Sequence, residues 1–163
     1  MTDAPRIQSI PTEQKALPSS GDAAARPAPD ATMTVLLYSD DVDTRERVKT
    51  AIGRRPAADV PKVEWLECAT GPAVIAALDK GGVGVAILDG EATPTGGLCL
   101  ARQAKDEIFQ CPPIVVLTGR VQDSWLANWS RAEAAVPHPL DPIELAHAVA
   151  AQMRRRATDL ATS

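Results

Sequence analysis

The chain has 163 residues, 45% of them hydrophobic and 23% charged, and a formal net charge of −4. That is the length of one soluble domain, and the acidic balance argues against a nucleic-acid surface, which needs a surplus of Lys and Arg on one face. No stretch approaches the roughly 18–20 consecutive apolar residues that span a bilayer, and the first residues lack a basic segment followed by an apolar one, so a cytoplasmic protein without membrane insertion is expected.

Three cysteines, Cys68, Cys99 and Cys111, show no paired spacing. They read as reduced thiols, with neither a disulfide nor a zinc site expected. A core of this size needs no such staple.

Residues 1–32 hold five of the fourteen prolines, Pro5, Pro11, Pro18, Pro27 and Pro29, among Ser, Ala and Asp. This composition predicts a tail outside the fold, either disordered or laid along a larger protein partner with Ile7, Ile10 and Leu17 as apolar anchors. A folded domain is expected over 33–156 and a short C-terminal tail over 157–163.

Within the domain, short apolar runs alternate with amphipathic segments. Val35 to Tyr38 reads as a central strand covered on both faces, followed by a helix with Val48, Ala51 and Ile52 on one face. Val63 to Ala69 is mixed in character and predicts an edge strand. The next helix begins at Thr70 as cap, buries Val74, Ile75 and Leu78, and stops at Gly81 and Gly82.

Val83 to Leu88 is a second central strand, followed by a helix over Gly97 to Ile108. Ile114 to Leu117 is a third, followed by a helix from Asp123 to Arg131 that carries Trp125 and Trp129 on one face. A short last strand, Ala134 to Val136, precedes the best-marked helix start: Asp141 as cap, Pro142 at the first position and Glu144 completing a capping box. Leu145, Val149 and Met153 form its buried stripe, and Arg154, Arg155 and Arg156 are expected in its last turn, facing the helix dipole. Five strands alternating with five helices predict an α/β fold with a doubly wound, five-stranded parallel sheet of order 2-1-3-4-5.

In such sheets the working site lies beyond the carboxyl ends of the strands. Those ends carry Ser39, Asp40 and Asp41 after the first strand, Asp89 after the third, Thr118 after the fourth and His138 after the fifth. Converging carboxylates raise one another's pKa unless a cation shares them, and hard oxygen ligands favour Mg²⁺. A sheet of this kind also holds FMN in other proteins, but a phosphate there needs Gly, Ser and Thr donors after the first strand, where this chain offers carboxylates. No nucleophile–base pair is visible, so enzymatic turnover is not expected.

Over residues 34–156 the sequence resembles the receiver domains of two-component response regulators, the CheY-like family with the flavodoxin-like receiver fold. The resemblance rests on YSDDVDTRERV, on AILDG with Gly97 and Leu98 following, on IVVLTG and on VPHPLDPIEL. It implies that Asp89 is the phosphoacceptor for a histidine kinase, that an acid pair after the first strand binds Mg²⁺ with Asp89 and the backbone carbonyl of Glu91, and that Thr118 contacts the phosphoryl group. The X-Pro step that follows the family's lysine, often cis, is here His138–Pro139.

Several positions depart from the family pattern. Counting back from Arg45 places Ser39 and Asp40 at the acid pair, with one acid lost; the other register pairs Asp40 with Asp41 and requires a one-residue deletion afterwards. Asp40 is an acid in both registers, so Mg²⁺ binding at Asp40, Asp89 and Glu91 is expected to be weak. His138 replaces the lysine with a shorter group that is largely neutral at pH 7 in its unperturbed form. Ala135 stands where the family has its aromatic switch residue, and Pro94 lies one residue later than the family's proline. These departures imply a pseudo-receiver: a stand-alone receiver-like protein, degenerate in phosphorylation, that acts through protein contacts. The other reading is a phosphorylation-independent accessory or docking subunit of a larger assembly.

Overall fold

The computed structural model of the protein describes residues 26–163. The proposed anchors Ile7, Ile10 and Leu17 therefore lie outside the described residues. In order along the chain, the elements are β1 (Thr32–Tyr38), α1 (Val42–Ile52), β2 (Lys62–Cys68), α2 (Gly71–Lys80), β3 (Val85–Asp89), α3 (Gly97–Glu107), β4 (Ile114–Thr118), a 3₁₀ turn (Val121–Ser124), α4 (Trp125–Ser130), β5 (Ala134–Pro137) and α5 (Pro142–Thr162).

The five strands are parallel, in the order β2-β1-β3-β4-β5. The continuous apolar runs of the central strands have a simple cause, because side chains alternate between two covered faces. From β1, Val35 and Leu37 enter a core shared with Val48 and Ile52 of α1 and Leu145, Val149 and Met153 of α5. Leu36 and Tyr38 enter the opposite core, with Val74 and Leu78 of α2, Leu100 of α3 and Ala127 of α4. The chain leaves β1 toward one edge and β3 toward the other, so a cleft opens between their carboxyl ends.

Helix starts follow the caps read from the sequence. Thr70 accepts from the backbone N–H of Ala73, and Asp141 accepts from those of Ile143 and Glu144 at 2.8 and 3.1 Å. Asp141 makes all the capping bonds of α5, and Glu144 makes no return bond among the described residues. The helix also runs farther than expected, through the segment 157–163 set apart as a tail, to Thr162. The arginine run consequently lies well inside α5, and Arg154 donates to both carboxylate oxygens of Asp59, at 2.6 and 2.8 Å.

The fourth helix is shorter than its pattern suggests. A 3₁₀ turn takes its first residues, and Arg131 ends it in the left-handed conformation at φ 63°. Trp125 and Trp129 do share a side, but that side faces solvent, with exposures of 63% and 46%.

Helix α3 meets the end of β3 through a glycine. A Cβ on Gly97 would lie 2.7 Å from the backbone oxygen of Asp89 and 2.7 Å from the backbone carbon of Leu88. Both obstacles are main chain and cannot rotate away. Replacing Gly97 with Ala is therefore expected to destabilise the fold by about 1–3 kcal/mol, as overpacking does in other cores. Urea denaturation of the purified variant measures it.

Candidate functional site

The cleft is floored by Asp89, the last residue of β3, which is only 3% exposed. A carboxylate this deeply buried needs donors or a cation. It has donors. The hydroxyl of Ser39, itself 0% exposed, donates to Asp89 Oδ2 at 2.8 Å, and the backbone N–H of Glu91 donates to Oδ1 at 3.0 Å. Ser39 is held in turn, because its Oγ accepts from the backbone N–H of Asp41 at 3.1 Å and its carbonyl accepts from the Arg45 guanidinium.

The acidic run after β1 divides by role. Asp41 is the N-cap of α1, accepting from the N–H groups of Asp43 and Thr44 and from the Thr44 hydroxyl at 2.7 Å. The Thr44 hydroxyl, followed by the Asp43 N–H, holds its carboxyl below the ordinary range. Asp40 is exposed on the rim, where the Thr93 hydroxyl donates to it at 2.7 Å and lowers its pKa. Ser39 is therefore the residue after β1 that faces Asp89, and Asp41 is committed to the helix.

His138 follows β5, and its backbone N–H donates to the Thr118 carbonyl at 2.8 Å, which brings the ends of β4 and β5 together. Its Nε2 stands 3.7 Å from Asp89 Oδ1, beyond hydrogen-bond reach. The His138–Pro139 bond is cis, as the resemblance implied, and Thr93–Pro94 is cis as well. Thr118 is buried, and its hydroxyl donates to the Arg120 carbonyl at 3.3 Å rather than to Asp89. Ala135 lies opposite Val116 in the sheet and packs on the α2–α4 side.

Two participants carry no functional signal in the sequence. Thr93, the partner of Asp40, sits in a loop without a recognisable pattern. Tyr38 is buried below the cleft and donates to the Thr95 carbonyl at 2.7 Å, which anchors the same loop. Burial, and then the nearby charges of Asp40 and Asp89, raise its pKa.

Mg²⁺ demands near-octahedral oxygen ligation. Here one Asp89 oxygen accepts a hydrogen bond from the Ser39 hydroxyl, Asp40 is turned to Thr93, and Glu91 meets Asp89 through an N–H group. Among the described residues, no group of three or more His, Cys, Asp or Glu side chains is placed to hold a metal ion. The side chains of Asp40, Asp89 and Glu91 form no such group. The donor set does not fit a preformed Mg²⁺ site.

No family model matches the chain. The response regulatory proteins MT3230 and Rv3143, from two strains of Mycobacterium tuberculosis, are each 57% identical to it over 128 residues, covering 78% of this chain and 96% of theirs. Among solved structures, the receiver domain of the Francisella response regulator 1452 matches with a TM-score of 0.64 at 15% identity, over 76% of this chain and 98% of that one. The receiver domain of Ssk1 from Saccharomyces cerevisiae, crystallised with the histidine phosphotransfer protein Ypd1, matches with a TM-score of 0.58 at 18% identity, over 76% of this chain and 87% of that one.

Ser39→Ala removes the donor to a buried carboxylate oxygen and should destabilise the protein by about 1–3 kcal/mol, read from the urea midpoint. Asp41→Ala should lower the melting temperature at pH 7. Because the folded Asp41 carboxyl titrates below its unfolded value, the stabilisation is present above the unfolded pKa and lost as pH falls through the folded one. The difference between the two proteins should therefore narrow in acid, as differential scanning calorimetry across pH would show.

Proposed function

The chain belongs to the response-regulator family, as a receiver domain of two-component signalling, and we propose that within it this protein is a pseudo-receiver that signals through protein contacts and phosphorylates poorly. The observation that carries this reading is the Ser39 hydroxyl donating into Asp89 at 2.8 Å. A hydroxyl supplies the buried carboxylate with a proton donor in place of a second acid that would call for a cation.

The phosphoacceptor is Asp89. For it to act, an Asp89 oxygen must attack phosphorus with a lone pair, and the bonds from Ser39 and Glu91 withdraw charge from that oxygen. Thr118 must turn its hydroxyl from the Arg120 carbonyl toward the incoming group. His138 offers an imidazole where a lysine would bring a fixed charge. Each change raises the barrier, and Ala135 offers no aromatic ring to report the modified state. A histidine kinase or a phosphotransfer protein is the corresponding donor class, in keeping with the Ypd1 complex of the Ssk1 receiver.

A second reading is a docking subunit that never cycles. It is favoured by Trp125 and Trp129, two large aromatic side chains exposed on α4, because exposed aromatics of this kind are common anchors of protein interfaces.

Acetyl phosphate and intact-mass analysis separate the two. Modification of the natural chain should be slow, confined to Asp89 and absent in Asp89→Asn. His138→Lys should accelerate it about tenfold, the effect of a contact worth about 1.4 kcal/mol in the transition state. Rapid, near-stoichiometric modification of the natural chain would sink the pseudo-receiver reading. No modification of either protein would leave the docking reading.

A further inference from the structure

We infer that the groove between the end of α5 and the start of β2 is a docking site for the protein's own N-terminal segment, with Leu17 as the side chain that fills it. The groove lies at the amino ends of the strands, away from the cleft, so the inference does not rest on Asp89 being phosphorylated.

Two walls form this groove. One is the end of α5, which presents Met153, Ala157 and Ala161 at successive turns, and the other is Val60 and Pro61, which lead into β2. The Arg154–Asp59 ion pair joins the two walls. Met153 and Val60 belong to the core, whereas Ala157 and Ala161 are exposed. The helix thus carries an apolar face past the core it packs against.

The path of the chain says what covers that face. Pro27 lines the same groove. From there the chain is pinned on its way to β1: the Arg55 guanidinium donates to the Pro29 carbonyl at 3.1 Å, and the Lys62 backbone N–H donates to the Ala31 carbonyl at 2.9 Å. The residues that precede Pro27 are therefore delivered to the groove. Residues 18–26 hold only Pro, Ser, Gly, Asp, Ala and Arg, so Leu17 is the first large apolar side chain met on going back along the chain. It stands ten residues before Pro27, a stretch that can span up to roughly 33–36 Å and so can fold back onto the groove.

Size decides between this occupant and a second protein. A stable interface between two proteins buries roughly 1,200–2,000 Å². The groove encloses about 350 Å³, near the lower end of the range for small-ligand pockets, and takes one or a few side chains. A tethered side chain needs no larger contact, because a short linker holds it at a roughly millimolar effective concentration. Pro18, next to Leu17, fixes a backbone angle and reduces the entropy lost on docking.

The test uses the purified full chain with p-benzoylphenylalanine in place of Ala16, beside the anchor. Irradiation should give crosslinks within one chain, mapped by mass spectrometry to peptides holding Val60 or residues 153–161. Ala157→Glu, at an exposed position that spares the core, should abolish them. Hydrogen exchange supplies a second readout: Leu17→Asp should speed exchange of the amides of residues 157–162 about fivefold, as loss of a docked side chain frees the last turns of the helix. Crosslinks that are absent, that land elsewhere on the chain, that join two copies or that persist in Ala157→Glu would overturn the inference. Exchange left unchanged by Leu17→Asp would do the same.

Discussion

A carboxylate buried at the end of a central strand sets the terms for the rest of this cleft. Asp89 is 3% exposed, and an ionised carboxylate so placed is unfavourable unless it is neutralised or given hydrogen bonds. The solution here is local and made of protein. Ser39 and the Glu91 N–H supply the donors, the Asp41 N–H and the Arg45 guanidinium hold Ser39 in place, and Arg45 reaches on to Glu67 of β2. The hydrogen bonds around one side chain thus link β1, β2, β3 and α1.

That network accounts for the different uses of three consecutive polar residues. Ser39 is last in line with the buried face of β1 and points into the cleft. Asp40 points outward and is satisfied by Thr93. Asp41 spends its carboxylate on the orphan N–H groups of α1. Acid count alone would treat Asp40 and Asp41 alike, whereas the bonds of the three residues give one structural donor, one rim charge and one helix cap.

The fold was legible in the sequence because its signals are periodic and reinforced by caps. Continuous apolar runs marked β1, β3 and β4, and the Asp141–Pro142 start marked α5 to the residue. The errors fall where the chain lacks such signals. The end of α5 has no glycine stop, so composition suggested a tail where the helix goes on through Ala157 to Thr162. The α4 segment carries a helical spacing of tryptophans, but the chain spends its first residues on a 3₁₀ turn and exposes both rings.

The site was legible by position more than by role. Strand ends named Asp89, Thr118 and His138, because a parallel sheet delivers its carboxyl ends to one edge whatever residues stand there. Whether a carboxylate faces the cleft, the solvent or a helix depends on rotamers and on partners distant in sequence: Thr93 lies 53 residues from Asp40, and Ser39 lies 50 from Asp89. No local pattern encodes those pairs. The same distances bear on why Asp89 keeps its carboxylate. Replacing it would leave the Ser39 hydroxyl and the Glu91 N–H without an acceptor in a buried place, a cost the protein bears whether or not phosphate is ever transferred. Retention of the acid is thus explained by folding alone, and signalling has to be argued from the groups around it.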